Sequence, residues 1–240
     1  MTDSVNNFIP ISSLQGYTSV VLNTKMPTKK NPLPIDPRAW KGAAIILGAA
    51  LLSTYFFQEL SLIVWVLLFC HLAFFREPSF KLPAGEVLSS PSYGQVSDIE
   101  KVFEDRFLHE EAYRIGIFMS VLVPHITLSP MRGKIGYLEH VPGKFLHAMS
   151  QQAPLKNECN WIGIEDAGTR VMVRQITGAI ARRIFWDVEI GSEVEAGEKL
   201  GVICYGSRVE CYLPARLFKP AVKVGDNIKA GSTVIGDRLL

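Results

Sequence analysis

The sequence predicts a mainly β, α+β domain of the sandwich or barrel kind, preceded by an N-terminal hydrophobic helical hairpin. Three observations carry this: an almost continuous apolar run from Ala43 to Phe75, short β-branched and aromatic runs beyond Pro78, and an internal repeat near the C-terminus. A chain of 240 residues accommodates one globular domain of ordinary size plus a further element. Charged residues make up 20% of it and apolar ones 48%, concentrated in one place. The formal net charge of +2 gives no field suited to nucleic acid as a partner. Cys70, Cys159, Cys204 and Cys211 form no CxxC pair and the five histidines fall at no ligand spacing, so no metal site is expected. The cysteines read as small buried apolar residues in a reducing compartment.

Residues 1–38 are polar and carry Pro27, Pro32, Pro34 and Pro37 at close spacing, the composition of a disordered cytoplasmic tail. The apolar run that follows is interrupted by Gln58-Glu59. One straight helix over it would be roughly 50 Å long, against about 30 Å of hydrocarbon, and would put Glu59 at mid-membrane. Split at Gln58-Glu59, each half is about 22 Å long and suits a hairpin dipping into the bilayer over residues 39–76. Both flanks then lie on one side, and both are basic: Lys25, Lys29, Lys30, Arg38 and Lys41 before, Arg76 and Lys81 after. The positive-inside rule assigns that side to the cytoplasm, with Trp40 as an interfacial anchor. The run starts too late and extends too far for a signal peptide.

Beyond Arg76-Glu77-Pro78, strands are expected at 95–103, 113–120, 134–141, 170–176, 182–189, 200–205 and 209–213, with Gly and Pro at intervals of about ten residues. A helix is expected near 145–152. Val188-Glu189-Ile190-Gly191-Ser192-Glu193-Val194-Glu195-Ala196-Gly197 matches Val222-Lys223-Val224-Gly225-Asp226-Asn227-Ile228-Lys229-Ala230-Gly231 at every apolar and Gly position. Two such units can build opposite halves of a small barrel. The pattern resembles biotinyl and lipoyl carrier domains, but the intervening hairpin holds Gly206-Ser207-Arg208 where a carrier presents a lysine.

A Gly-Ser between strands is by itself an ordinary turn. In context it signifies more. Ala181-Arg182-Arg183-Ile184, Tyr205-Gly206-Ser207-Arg208 and Tyr212-Leu213-Pro214 resemble the C-terminal part of phosphatidylserine decarboxylase proenzymes of the short, membrane-anchored type. The likeness extends upstream through Arg76-Glu77-Pro78, Ile117-Phe118-Met119-Ser120, His125, Pro142-Gly143-Lys144-Phe145-Leu146-His147-Ala148 and Lys156-Asn157-Glu158-Cys159-Asn160. It covers about residues 40 to 240 in consistent order.

The resemblance implies a decarboxylase-type β domain over residues 77–240 and a self-cleaving chemistry at Gly206-Ser207. Ser207 would attack the Gly206 carbonyl, and elimination would split the chain into fragments 1–206 and 207–240 that remain associated. Ser207 would become a pyruvoyl group, with no external cofactor, forming a Schiff base with phosphatidylserine and releasing carbon dioxide to give phosphatidylethanolamine. Phosphatidylserine or a related serine-headgroup lipid is the expected partner, at a membrane, with the catalytic domain on the cytoplasmic face. His125 matches a histidine the family uses near the pyruvoyl group, while His140 and His147 have weaker claims. Arg182, Arg183 and Arg208 are candidates for the headgroup phosphate.

The chain also departs from the family. Where the family carries Pro-Ala-Asp-Gly, this chain has Pro91-Ser92-Tyr93-Gly94, and its Asp-Val-His-Val-Asn-Arg reads Val123-Pro124-His125-Ile126-Thr127-Leu128. A protonated phenol cannot stabilise an imidazolium as a carboxylate does. Asp98, further along the same strand, is a possible substitute for the missing acid. Two readings therefore stand beside each other: an active decarboxylase with an altered maturation site, and a non-catalytic membrane-bound relative that binds phospholipid or a protein partner. A third, an interaction module on a membrane hairpin, requires Gly206-Ser207 to be accidental.

Overall fold

A computed structural model of the chain describes residues 28–29, 35–147, 150, 152–179, 183–204 and 207–239. Most of the expected N-terminal tail therefore lies outside the described residues. After a two-residue strand β1 (Thr28–Lys29) come two antiparallel helices, α1 (Ala39–Phe56) and α2 (Gln58–Phe74). They break at the position expected from Gln58-Glu59: Phe57 adopts φ −143°, ψ 68°, and its N–H closes α1 on the Ser53 carbonyl. At roughly 1.5 Å per residue each helix is about 26 Å long. By length and composition α1 is apolar enough to cross a membrane, and α2 is a shorter apolar helix. Leu52, Phe56, Leu62 and Phe69 are all more than 60% exposed, so these side chains await a non-aqueous neighbour.

The hairpin is tied at its base. The His71 ring meets the Ala39 carbonyl at 3.0 Å, and a Cβ at Gly42 would lie 2.7 Å from that ring. Asp36 bonds the Arg38 N–H at 2.7 Å and its guanidinium at 2.9 Å, and Lys199 binds both Asp36 and Glu77. Arg38 also pairs with Asp187. Burial opposes the charge on Asp36, but Lys199 and the Arg38 amide hold its carboxyl below the ordinary value.

The β domain comprises β2 (Phe80–Lys81), β3 (Val87–Ser89), β4 (Gly94–Glu104), β5 (Glu110–Met119), β6 (Ile126–Leu128), β7 (Gly133–Val141), the short helix α3 (Ala153–Lys156), β8 (Cys159–Asp166), β9 (Thr169–Ile176), β10 (Ile184–Trp186), β11 (Glu193–Val194), β12 (Lys199–Ile203), β13 (Ser207–Pro214), β14 (Phe218–Pro220), β15 (Asn227–Ile228) and β16 (Val234–Arg238). A curled eight-stranded sheet has the order β11-β7-β8-β9-β13-β5-β4-β15. Two three-stranded sheets, β10-β12-β6 and β14-β16-β3, complete the barrel. Its interior is filled by Ile115, Ile117, Ile162, Val173, Val209 and Cys211, all fully buried.

These orders are palindromic, and the register shows why. Between β9 and β13, Glu210 faces Arg174 and Tyr212 faces Met172, about a centre at Cys211 and Val173. A pseudo-twofold axis runs there, relating β3–β5 and β13–β16 to β6–β12. Its details repeat: β4 is bulged between Val96 and Asp98 and β7 between Ile135 and Tyr137, while β12 and β16 are bulged at Lys199/Gly201 and Val234/Gly236. The expected repeat sits at the two edges of the large sheet, with Gly191 at φ 89° and Gly225 at φ 96° turning into β11 and β15.

Three expectations need correction. Among the described residues of 145–152 there is no helix, and the one short helix begins at Ala153, where Pro154 sits in the first turn. β8 was not anticipated, because Asn160, Gly163 and the flanking acids mask a strand buried over Cys159–Ile164. The segment around Ser207 is not a hairpin either: β12 belongs to a small sheet and β13 to the large one, so the chain crosses between sheets there.

Candidate functional site

Ser207 is the first residue of β13, the strand beside the twofold axis, and faces the barrel interior opposite Met119 of β5. It is fully buried, and its hydroxyl donates to the Met119 thioether at 3.3 Å, a weak acceptor. Gly206 lies outside the described residues. Arg208 points to the other face of the sheet. Its Nη1 donates to Asp98 Oδ2 and Ser97 Oγ, both at 2.7 Å, its Nη2 to Asp98 Oδ1 at 2.8 Å, and its Nε to Glu210 at 3.0 Å. A Cβ at Gly116 would lie 2.1 Å from that guanidinium, so the bare glycine makes the passage. The fully buried Glu210 is held in turn by the Tyr212 hydroxyl at 2.8 Å and Arg174 at 3.3 Å. The head of β13 is thus pinned on one face by charge-assisted bonds while its other face presents Ser207 to an apolar interior.

Asp98 is consumed by this arrangement. Burial opposes its charge, but the hydrogen bonds from Arg208 and Ser97 outweigh burial and keep the carboxyl below its usual value. It braces the residue after Ser207, and its described partners do not include His125.

His125 is buried immediately before β6, and its carbonyl accepts from the N–H of Ile203, the last residue of β12 before the junction. Its Nδ1 lies 2.7 Å from the Val123 carbonyl, which can only accept, so Nδ1 carries the hydrogen and Nε2 the lone pair. Burial lowers its pKa to about 4; the Val123 bond works against this and the Arg76 charge works with it. Phe74, from the end of α2, stacks on the ring with centroids 4.2 Å apart at 30°. Tyr93 packs into the same apolar cluster with Phe74, Phe75 and Ile126, and burial raises its pKa although Arg76 opposes the rise. At the position of the absent family acid there is therefore an aromatic wall, and the histidine is oriented by a main-chain carbonyl.

The other candidates separate. Arg183 is exposed and its carbonyl accepts from the Cys204 N–H, while Arg182 lies outside the described residues. Burial, reinforced by the Asp36 charge, pushes the Cys204 thiol up to about 11, so it stays protonated at neutral pH. His140 is on β7, bonded to Asn160 at 2.7 Å, and His147 is exposed in the loop before α3. Sequence reasoning missed Met119, Phe74, the Val123 carbonyl and a buried polar pair, Gln175 donating to Thr127 at 2.9 Å. Gln175 faces Val209, two residues from Ser207, and a polar residue on an inward strand position was its available signal.

Fold and site together define a duplicated β-barrel on an apolar hairpin, with Ser207 buried at the head of a strand that follows one from another sheet. The family described as phosphatidylserine decarboxylase matches residues 67–236. Phosphatidylserine decarboxylase proenzymes of Carboxydothermus hydrogenoformans, Symbiobacterium thermophilum and Paraburkholderia xenovorans are 38%, 35% and 36% identical. The alignments cover 81%, 85% and 86% of this chain and 90%, 95% and 98% of those relatives. The chain belongs to the phosphatidylserine decarboxylase family.

Proposed function

We propose that this chain is a pyruvoyl-dependent phosphatidylserine decarboxylase that cuts itself between Gly206 and Ser207. The observation that carries the reading is the full burial of Ser207 at the head of the central strand, in a member of this family that retains Gly206, Ser207 and Arg208. The relatives are phosphatidylserine decarboxylase proenzymes, which supports both the substrate and the self-processing. Residues 39–76 act as the membrane anchor and 77–240 as the decarboxylase domain, on the cytoplasmic face given the basic flanks.

In maturation the Ser207 Oγ adds to the Gly206 carbonyl carbon as its proton passes to a base. The 206–207 C–N bond then breaks in favour of an ester. Loss of the Ser207 α-proton expels Gly206 as a carboxylate, and water releases ammonia from the new terminus, leaving a ketone. His125 is the candidate base, since its Nδ1–H is fixed on Val123 and burial keeps the ring neutral, and so able to accept a proton at Nε2, at neutral pH. The surroundings fit a small uncharged group: Ser207 meets a thioether and apolar side chains, with its charged neighbours on the far face. Once formed, the pyruvoyl group supplies an electron sink for loss of carbon dioxide, so no external cofactor is required. Arg208 keeps the new terminus in register after the cut, because Asp98 and Glu210 hold it from both sides.

Denaturing mass spectrometry of the purified protein tests this. A fragment 207–240 without a free amine, reactive toward carbonyl reagents, is expected. An intact chain of 26.7 kDa after long incubation would support the non-catalytic, lipid-binding relative instead.

A further inference from the structure

Two cavities meet at Arg76. One, of about 440 Å³, lies between the base of the hairpin and the 121–122 loop and is lined by Ile46, Leu67, Phe69, Phe74 and Leu122. The other, of about 550 Å³, lies on the domain side and is lined by Tyr93, Gln95, Ser120, Asn227 and Lys229. Arg76 borders both, donating to the Ala73 and Leu122 carbonyls and so fixing helix to loop.

Charge separates the second cavity from its neighbours. Its lining includes Arg76 and Lys229 and no acidic side chain, and neither cation has an ion pair among the described residues. The cavity beside Arg208, by contrast, holds Asp98 and Glu100 against Arg114 and Arg208. A guanidinium and an ammonium around one space without an opposing carboxylate is the recognition chemistry of a phosphate. The first cavity has the opposite character, almost wholly apolar, and it opens among side chains already suited to lipid: Leu122 is 79% exposed and Phe69 73%.

Both cavities are lined by neighbours of the reaction centre. The apolar one includes Phe74, whose ring stacks on His125. The second includes Phe118, opposite Arg208 on the face of the sheet away from Ser207, and Ser120, Val123 and Pro124, which lead into His125.

We propose that the pair forms a single binding site for one lipid molecule: an acyl chain beside Phe74 and Leu122, and the headgroup phosphate between Arg76 and Lys229. This rests on the decarboxylase reading for its choice of lipid, and it assigns the phosphate to residues other than the Arg182, Arg183 and Arg208 suggested by sequence. The hairpin then contributes a wall of the substrate site as well as an anchor.

The test uses the full-length protein in detergent and soluble dihexanoyl phosphatidic acid, which has the phosphate and chains but no amine to react, with titration calorimetry as the readout. Binding is expected, and Lys229→Glu and Leu122→Asp should each weaken it at least tenfold. Inorganic phosphate alone should be weakened by Lys229→Glu and indifferent to Leu122→Asp. No binding by the unsubstituted chain, or equal affinity in Lys229→Glu, overturns the assignment. Equal affinity in Leu122→Asp reduces the site to one for free phosphate and overturns the lipid slot. The two proposals separate cleanly: a chain that binds phosphatidic acid in this pattern yet releases no carbon dioxide from phosphatidylserine keeps the site and loses the decarboxylase. Carbon dioxide release with an unchanged KM in Lys229→Glu does the reverse.

Discussion

Ser207-Arg208-Val209 and Thr169-Arg170-Val171 occupy equivalent positions about the twofold axis, each preceded in the sequence by a glycine. Their surroundings differ in three ways. At 168 the chain reverses at once: Ala167 at φ 45° and Gly168 at φ 82° form a tight turn joining β8 to β9, with Asp166 opposite Thr169. At 206 the chain arrives from another sheet. Thr169 closes an ordinary hairpin and keeps a little exposure, whereas Ser207 is fully buried. Arg170 spans the surface to Glu165 at 3.4 Å, while Arg208 is buried between two carboxylates. Nearly the same sequence thus follows a tight turn in one half and a change of sheet in the other, and the difference lies in what the preceding strand belongs to.

That comparison can be broken by substitution. The largest effect is expected from Ser207→Ala, which should leave only the intact chain by mass spectrometry, whereas Thr169→Ala should leave the fragment pattern unchanged. Cleavage persisting in Ser207→Ala would remove the distinction altogether. Next come the arginines. Arg208→Ala leaves Glu210 and Asp98 without their shared partner and should cost about 3–5 kcal/mol in denaturant unfolding; Arg170→Ala, at an exposed pair, should cost about 1 kcal/mol or less. Equal losses would mean that Arg208 is not a brace.

The most diagnostic effect concerns pH. His125 has a folded pKa of about 4 against 6.5 for the free side chain, so between those values the unfolded chain binds more protons. Its contribution to stability is present above pH 6.5 and declines as pH falls toward 4, a loss of roughly 3 kcal/mol in all. Self-cleavage should likewise keep its rate down to about pH 4 in a base-limited profile. Tyr93→Asp, by adding a carboxylate near the ring, should move that limb upward. A limb already near pH 6.5 in the unsubstituted chain would mean that His125 is not the base.

Much of this was legible in the sequence. The hairpin and its break at Gln58-Glu59 follow from an apolar run too long for one span, and the edge repeats follow from matched Gly positions that need φ above zero. A second repeat went unread, although Ser90-Pro91-Ser92-Tyr93-Gly94-Gln95-Val96 and Ser129-Pro130-Met131-Arg132-Gly133-Lys134-Ile135 align and enter equivalent strands β4 and β7. Only Ser, Pro and Gly are shared there, with one apolar position, and that is faint against background. The Ser207 neighbourhood was legible through family likeness alone. What orients His125 was not, since a main-chain carbonyl leaves no trace in the identity of Val123.

β13 lies fifth in a sheet of eight, between β9 and β5. Cutting at its head leaves residues 207–240 holding a central strand and the edge strand β15, so the small fragment cannot depart without opening the barrel. Before the cut, refolding after heat is a first-order search by one chain. Afterwards it is an encounter between two, and recovery should depend on protein concentration. A cut there would therefore convert a fold that one chain can regain into one that time and dilution can end.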